Sequence, residues 1–177
     1  MKTFKNRFLF NISYFLLWIG YFVFARLFFL LFYFEKTQGL GFTTTLKTFL
    51  YGLRLDSSFA AYLCLVPFLL MILSVFFNPK KTGSVIKWYS IILIIFISLL
   101  LIIDASLYQA WGVRLDTTLL PYLNTPELMI SSVSTFQMVS GILFWIATSY
   151  FFIKLFNKVI SKRIEKIEKG FWPQSLV

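Results

Sequence analysis

The chain has 177 residues, of which 59% are hydrophobic and 14% are charged, and its formal net charge is +10. Apolar runs of about 20 residues recur, which is the length that crosses a hydrocarbon core roughly 30 Å thick, so the composition predicts an all-α integral membrane protein. Because the sequence holds no histidine, it lacks the usual general base near neutral pH and the commonest metal ligand, which excludes most hydrolytic chemistry for this chain alone.

Four apolar segments predict a polytopic bundle of transmembrane helices, at residues 8–34, 57–77, 85–103 and 126–156. The first follows three basic residues, as in a signal sequence, but it is too long for a cleaved signal and no small-residue cleavage motif follows. It therefore predicts a retained signal-anchor helix. A tight turn at 78–84 joins the second and third segments into an expected antiparallel hairpin. Before the apolar core of the fourth segment, Thr125-Pro126-Glu127 predicts a helix start near residue 126.

Two amphipathic segments predict helices that lie on the membrane surface. Residues 42–53 place apolar side chains at helical spacing opposite threonines and a lysine, which is typical of an interfacial helix. The segment after the fourth apolar run, at 157–177, is a basic tail in which Ile160, Ile164 and Ile167 recur among lysines. This pattern predicts a helix that rests on an anionic leaflet.

The positive charges predict the orientation of the chain. With the N-terminus inside and four crossings, the inner segments hold twelve of the 17 lysine and arginine residues, as the positive-inside rule requires. These twelve are Lys2, Lys5, Arg7, Lys80, Lys81, Lys87, Lys154, Lys158, Lys162, Arg163, Lys166 and Lys169. Both termini are therefore expected in the cytoplasm, with the transmembrane bundle at 1–156 and the basic tail at 157–177. The basic composition is a topology signal, and nucleic-acid binding is disfavoured.

One motif occurs twice, sixty positions apart, as Gly52-Leu-Arg-Leu-Asp56 and as Gly112-Val-Arg-Leu-Asp116. In each copy the glycine can end an approaching helix in a left-handed conformation, and the aspartate can cap the next helix. These caps do not explain the arginine of each copy. Two roles stay open for it, namely an ion-pair clamp between two outer loops or a contact with a lipid phosphate.

Six charged residues make up the candidate site, and we expect them to converge at the outer leaflet: Arg26, Arg54, Asp56, Asp104, Arg114 and Asp116. Residues two apart on a helix do not face each other, so a pair between Arg54 and Asp56 needs a loop conformation. Otherwise the two copies of the motif are expected to pair with each other. The acidic residues have no spacing typical of a metal loop, so no metal site is expected.

A transporter is disfavoured, because no ionisable residue lies near the middle of the second, third or fourth apolar segment. Pro67 lies within the second segment. It frees the carbonyl of Leu63 and is expected to bend that helix.

At the residues just described, the chain resembles the N-terminal membrane domain of bacterial lipoteichoic-acid-synthase-like proteins. These are sulfatase-like phosphoglycerol and phosphoethanolamine transferases of the alkaline phosphatase superfamily. The resemblance covers nearly the whole chain and rests on Ala25-Arg26, Gly52-Leu-Arg-Leu-Asp56, Ile103-Asp104 with Tyr108, Trp111-Gly112-Val-Arg-Leu-Asp116 and Tyr122-Leu-Asn-Thr-Pro126. It implies a multi-pass protein of the bacterial plasma membrane.

The resemblance also implies about five transmembrane helices and an extracellular catalytic domain, in which a metal-activated threonine moves a phosphorylated head group from a phospholipid to an acceptor. The family's nucleophile and metal ligands have no counterpart here, so no cofactor is expected in this chain and a divalent metal would belong to the catalytic domain. We expect a membrane anchor that is not catalytic by itself, partnered with membrane lipids and with a separate or missing extracellular catalytic domain. The alternative is a free-standing small membrane protein that binds anionic lipid or a partner membrane protein.

Overall fold

The computed structural model describes residues 2–39, 41–74, 76, 78–112, 114 and 134–171. Within these residues the chain forms five α-helices and no strand: α1 (Lys2–Phe32), α2 (Phe34–Thr37), α3 (Phe42–Leu73), α4 (Pro79–Trp111) and α5 (Thr135–Phe171). The four longer helices are each long and apolar enough to cross a membrane. The prediction of an all-α membrane protein with four transmembrane helices is confirmed.

The chain divides into two compact units. Unit 1 comprises Met1–Ser90 and Lys154–Val177, and unit 2 comprises Ile91–Ile153. Helices α4 and α5 each contribute to both units.

An aromatic column on α1 forms the core of unit 1. Phe10, Tyr14, Trp18 and Tyr21 recur every three or four residues and are almost completely buried, so they share one face of the helix. Phe156 of α5 packs against this column, with its ring centroid 5.0 Å from that of Trp18 and 5.8 Å from that of Tyr14. The opposite face of α1 carries exposed apolar side chains, as expected of a helix whose solvent is lipid.

Two hydrogen bonds, each made by a tyrosine hydroxyl, connect α4 to α1 and to α3 inside unit 1. The Tyr14 hydroxyl lies 2.9 Å from the Ser90 hydroxyl. The Tyr89 hydroxyl donates to the backbone carbonyl of Leu63 at 3.1 Å. This is the carbonyl that Pro67 leaves without its helical partner, and Pro67 lies buried within α3. The polar group that the proline exposes is therefore satisfied from the neighbouring helix.

The start of α1 lies beside the far part of α5 in unit 1. The side-chain amide of Asn6 donates to the carbonyl of Lys166 at 2.9 Å, and a guanidinium nitrogen of Arg7 donates to the carbonyl of Ser74 at 3.1 Å. The start of α1, the end of α3 and the far part of α5 consequently lie at the same end of unit 1. This arrangement fits an even number of crossings between the two ends of the described chain.

The boundary that was expected between an interfacial helix at 42–53 and a spanning helix at 57–77 is absent from α3. The structure has one continuous helix from Phe42 to Leu73, with Gly52 and Asp56 in its interior. The hydroxyls of Ser57 and Ser58 donate to the carbonyls of Leu53 and Arg54, four residues earlier, at 2.6 and 3.1 Å. The two hydroxyls that follow Asp56 are therefore satisfied within the continuous helix.

The basic tail also differs from the expectation of a helix resting on a leaflet. Helix α5 runs without a break to Phe171, and Ile160, Ile164 and Ile167 are each less than 10% exposed. The Ile164 side chain packs on Gly83 of α4. The apolar face of the tail is covered by protein rather than by lipid.

Unit 2 pairs the far part of α4 with the start of α5. The Trp145 indole nitrogen donates to the carbonyl of Ile95 at 3.0 Å. Ser134 and Gln137 form a capping box at the start of α5: the Ser134 amide donates to the Gln137 side chain at 3.0 Å, and the Gln137 amide donates to the Ser134 hydroxyl at 3.3 Å. The helix start predicted at Thr125-Pro126-Glu127 lies outside the described residues.

Candidate functional site

An ion pair between Arg26 of α1 and Asp56 of α3 forms the first part of the site. One terminal guanidinium nitrogen of Arg26 lies 3.0 Å from Oδ1 and 2.9 Å from Oδ2 of Asp56. The two side chains are only 21% and 14% exposed. Removing either charge would leave the other partly buried and unpaired, so the pair fixes how α1 and α3 meet.

Gly52 provides the space for this pair. It lies one helical turn before Asp56 and therefore on the same face of α3. A Cβ atom at Gly52 would overlap the guanidinium of Arg26. Gly52, the glycine of the first motif copy, thus lies in the interior of α3 and leaves space for the Arg26 side chain of α1. The expectation that this glycine ends a helix is wrong.

Two aromatic side chains pack one helical turn from the Arg26–Asp56 pair. Phe22 precedes Arg26 by one turn of α1, and Phe59 follows Asp56 by one turn of α3. Their ring centroids are 5.4 Å apart. The Arg26 Nε atom is buried and has no hydrogen-bond partner among the residues that the structure describes. The apolar cover lowers the local dielectric and strengthens the attraction between the two charges.

Arg54, the arginine of the first motif copy, lies on a different side of α3. Its side chain is exposed, and it makes no ion pair with any described residue. Two positions along a helix correspond to a rotation of about 200°, which turns Arg54 away from the face of Asp56. Arg54 therefore does not pair with Asp56, and the predicted pairing of Arg54 with Asp116 of the other copy lies outside the described residues.

Asp104 and Arg114 form a second ion pair, within unit 2. The Arg114 guanidinium lies 2.7 Å from Asp104 Oδ2 through its terminal nitrogen and 3.2 Å through Nε. Asp104 is 11% exposed, whereas Arg114 is 63% exposed. Its guanidinium thus faces solvent or lipid head groups on one side.

Gly112 ends α4 as the sequence predicted. Its φ is +71°, and its amide donates to the carbonyl of Tyr108 at 3.0 Å. A residue with a Cβ is strained in this left-handed conformation. The turn directs the chain back, so that Arg114 reaches the carboxylate of Asp104, ten positions earlier.

The structure therefore brings four of the six predicted site residues together as two pairs, Arg26 with Asp56 and Asp104 with Arg114. Asp116 lies outside the described residues, and the convergence of all six residues stays a prediction. The role of Gly52 as the space for the Arg26 guanidinium was not predicted. The spacing of four between Gly52 and Asp56 was the available signal, since it places both on one helical face.

Among the described residues, no group of three or more His, Cys, Asp or Glu side chains is arranged to hold a metal ion. Comparison of the chain with protein-family models, with curated proteins and with solved structures found no match.

Proposed function

We propose that this chain is the membrane part of a phospholipid head-group transferase of the lipoteichoic-acid-synthase-like type, and that Arg54 holds a lipid phosphate at the outer leaflet. The resemblance of the motifs around Arg26, Arg54 and Arg114 supports the transferase class. The one structural observation that carries the role of Arg54 is its exposed side chain, which lies apart from the Arg26–Asp56 pair.

The position of Arg54 along α3 suits a phosphate contact. The helix has 32 residues and is about 48 Å long, which exceeds the roughly 30 Å hydrocarbon core. The apolar run that follows Asp56 fills most of that core. Arg54 then lies at the edge of the core, where phosphate groups lie and where a long basic side chain can reach them.

The chemistry proposed for Arg54 is positional. A guanidinium can donate two parallel hydrogen bonds to a phosphate, which fixes the orientation of the head group. A head group held in one orientation reacts more readily with a nucleophile supplied from outside the membrane. In the family, that nucleophile and its divalent metal belong to the extracellular catalytic domain, and Arg114, with its exposed guanidinium, is a second candidate for phosphate contact.

The lipid contact is tested by native mass spectrometry of the purified chain in mild detergent with added phosphatidylglycerol. We expect Arg54→Gln to weaken phosphatidylglycerol binding by about 10- to 100-fold, because a charge-assisted hydrogen-bond pair is lost. Lys47→Gln is the matched control, since Lys47 is also an exposed cation of α3. Equal retention of lipid by Arg54→Gln and by Lys47→Gln would contradict the proposed contact.

The transferase class is tested separately, by sequencing the genomic DNA that follows the codon of Val177. Coding sequence for a further apolar helix and for a domain containing Thr and His residues supports the transferase. Unrelated coding sequence, together with stable expression of the 177-residue product, supports the free-standing lipid-binding protein instead.

A further inference from the structure

A polar cavity lies between α4 and α5 in unit 1, outside the six-residue site. Its volume is about 320 Å³, and its lining comprises Lys80, Gly83, Ser84, Lys87, Ser161, Ile164 and Glu165. The α4 residues recur at intervals of three and four, and so do the α5 residues, so each set occupies one helical face. The two faces turn toward each other across the cavity.

Close helix packing forms the apolar floor of this cavity. A Cβ atom at Gly83 would lie 2.9 Å from Cγ1 of Ile164, which is shorter than real contacts of that kind. Ile164 is itself only 7% exposed. The missing side chain at Gly83 lets α5 approach α4 here, while the longer side chains on either side leave a polar rim.

The rim has the chemistry of an anion site. Among the described lining residues, two lysine ammonium groups and two serine hydroxyls are hydrogen-bond donors, and Glu165 contributes a carboxylate. Lysine is a common phosphate ligand, and a serine hydroxyl can donate to a phosphate oxygen. We infer that this cavity binds a phosphate group, and that the phosphate belongs to an anionic phospholipid of the leaflet at this end of unit 1.

The position of the cavity favours a lipid over a free anion. The uncharged apolar run of α4 begins at Trp88, directly after Lys87, and the apolar core of α5 ends at Phe156. The rim residues therefore lie where these two helices leave the hydrocarbon, at head-group depth. Basic pockets between transmembrane helices at this depth bind anionic head groups. This inference does not depend on the proposed transferase function, which concerns Arg54 of α3.

The test compares two double variants of the full chain that remove the same charge. Lys80→Gln with Lys87→Gln changes the cavity, whereas Lys81→Gln with Lys162→Gln changes exposed lysines that do not line it. Native mass spectrometry of each purified protein in mild detergent compares binding of added phosphatidylglycerol with binding of added phosphatidylcholine. We expect the cavity variant to lose about tenfold or more in lipid affinity and the control to lose less than about threefold, because exposed charges are screened at physiological salt.

A third variant makes the test independent of any loss of folding. Glu165→Gln removes the carboxylate found among the described lining residues, and we expect it to raise phosphatidylglycerol affinity by several-fold. Competition by inorganic phosphate at millimolar concentration would assign the site to a free anion, and failure to compete assigns it to the lipid. Equal losses in the two lysine double variants, or no gain in Glu165→Gln, would overturn the inference.

Discussion

The two copies of the Gly-x-Arg-Leu-Asp motif differ in structure at the residues that are described in both, the glycine and the arginine. In the first copy the glycine lies in the interior of α3 beneath Arg26, and the aspartate is paired. In the second copy Gly112 ends α4 with a φ of +71°, and the arginine is paired. Four matching residues therefore do not determine the backbone conformation of the motif glycine.

The difference follows from where each copy stands relative to an apolar run. The first copy precedes the run that continues to Leu73, so a break at Gly52 would interrupt a helix whose backbone groups need partners in the membrane. The second copy follows the apolar run of α4, where the chain leaves the core and a left-handed glycine is tolerated. One charge of each copy, Asp56 in the first and Arg114 in the second, pairs with a charge from outside the motif.

The largest expected difference in the free energy of unfolding is between alanine variants of the two paired aspartates, Asp56 and Asp104. Asp56→Ala leaves the guanidinium of Arg26 partly buried without a partner, and we expect it to lower the free energy of unfolding by about 2–3 kcal/mol. Asp104→Ala leaves Arg114, whose guanidinium can be solvated, so the expected loss is about 1 kcal/mol. Unfolding of each variant by titration with a denaturing detergent measures both values.

The matched comparison within the first pair is Asp56→Asn, which keeps the size of the side chain. A loss close to that of Asp56→Ala would assign the effect to the charge. If Asp104→Ala proved as destabilising as Asp56→Ala, the distinction between a buried and an exposed pair would be wrong.

A smaller contrast is expected between the two glycines. Gly52→Ala introduces a Cβ atom into the space of the Arg26 guanidinium, and we expect a loss of about 1–3 kcal/mol from the displaced side chain. Gly112→Ala is strained by its backbone conformation, and we expect a loss of about 1 kcal/mol. The same detergent titration measures both.

A double-mutant cycle separates the two causes. Once Arg26→Ala has removed the guanidinium, Gly52→Ala should cost almost nothing or should stabilise the helix, because alanine favours a helix more than glycine does. The cost of Gly112→Ala should be the same with or without Arg26. An unchanged cost of Gly52→Ala in the Arg26→Ala background would show that Gly52 does not act through Arg26.

The sequence was sufficient for the elements that depend on local pattern. The apolar runs gave the four long helices, and Gly112 was predicted to end a helix in the left-handed region, as it does. The pairing of Arg26 with Asp56 was not predictable, because the residues are 30 positions apart and their contact depends on how two helices pack. The prediction that Asp56 caps a helix was wrong, because Asp56 lies in the interior of α3.

The tail shows a second limit of sequence reasoning. The isoleucines at 160, 164 and 167 define an apolar face, and an apolar face can be buried by lipid or by protein. The composition of the face is the same in both cases, so hydropathy does not distinguish them. The contact of Ile164 with Gly83 shows that this face is buried by protein, and only the folded chain brings these residues together.

The sidedness of the chain is the claim on which both proposed lipid sites depend. It is tested most directly by labelling single cysteines in intact cells with a membrane-impermeant maleimide, in a Cys64→Ala background. Gln38→Cys and Gln109→Cys lie at exposed positions near the two motif copies, and Lys162→Cys lies at an exposed position of the basic tail. We expect the first two to be labelled in intact cells and the third only after permeabilisation. Labelling of Gln38→Cys and Gln109→Cys from opposite sides of the membrane would contradict the account.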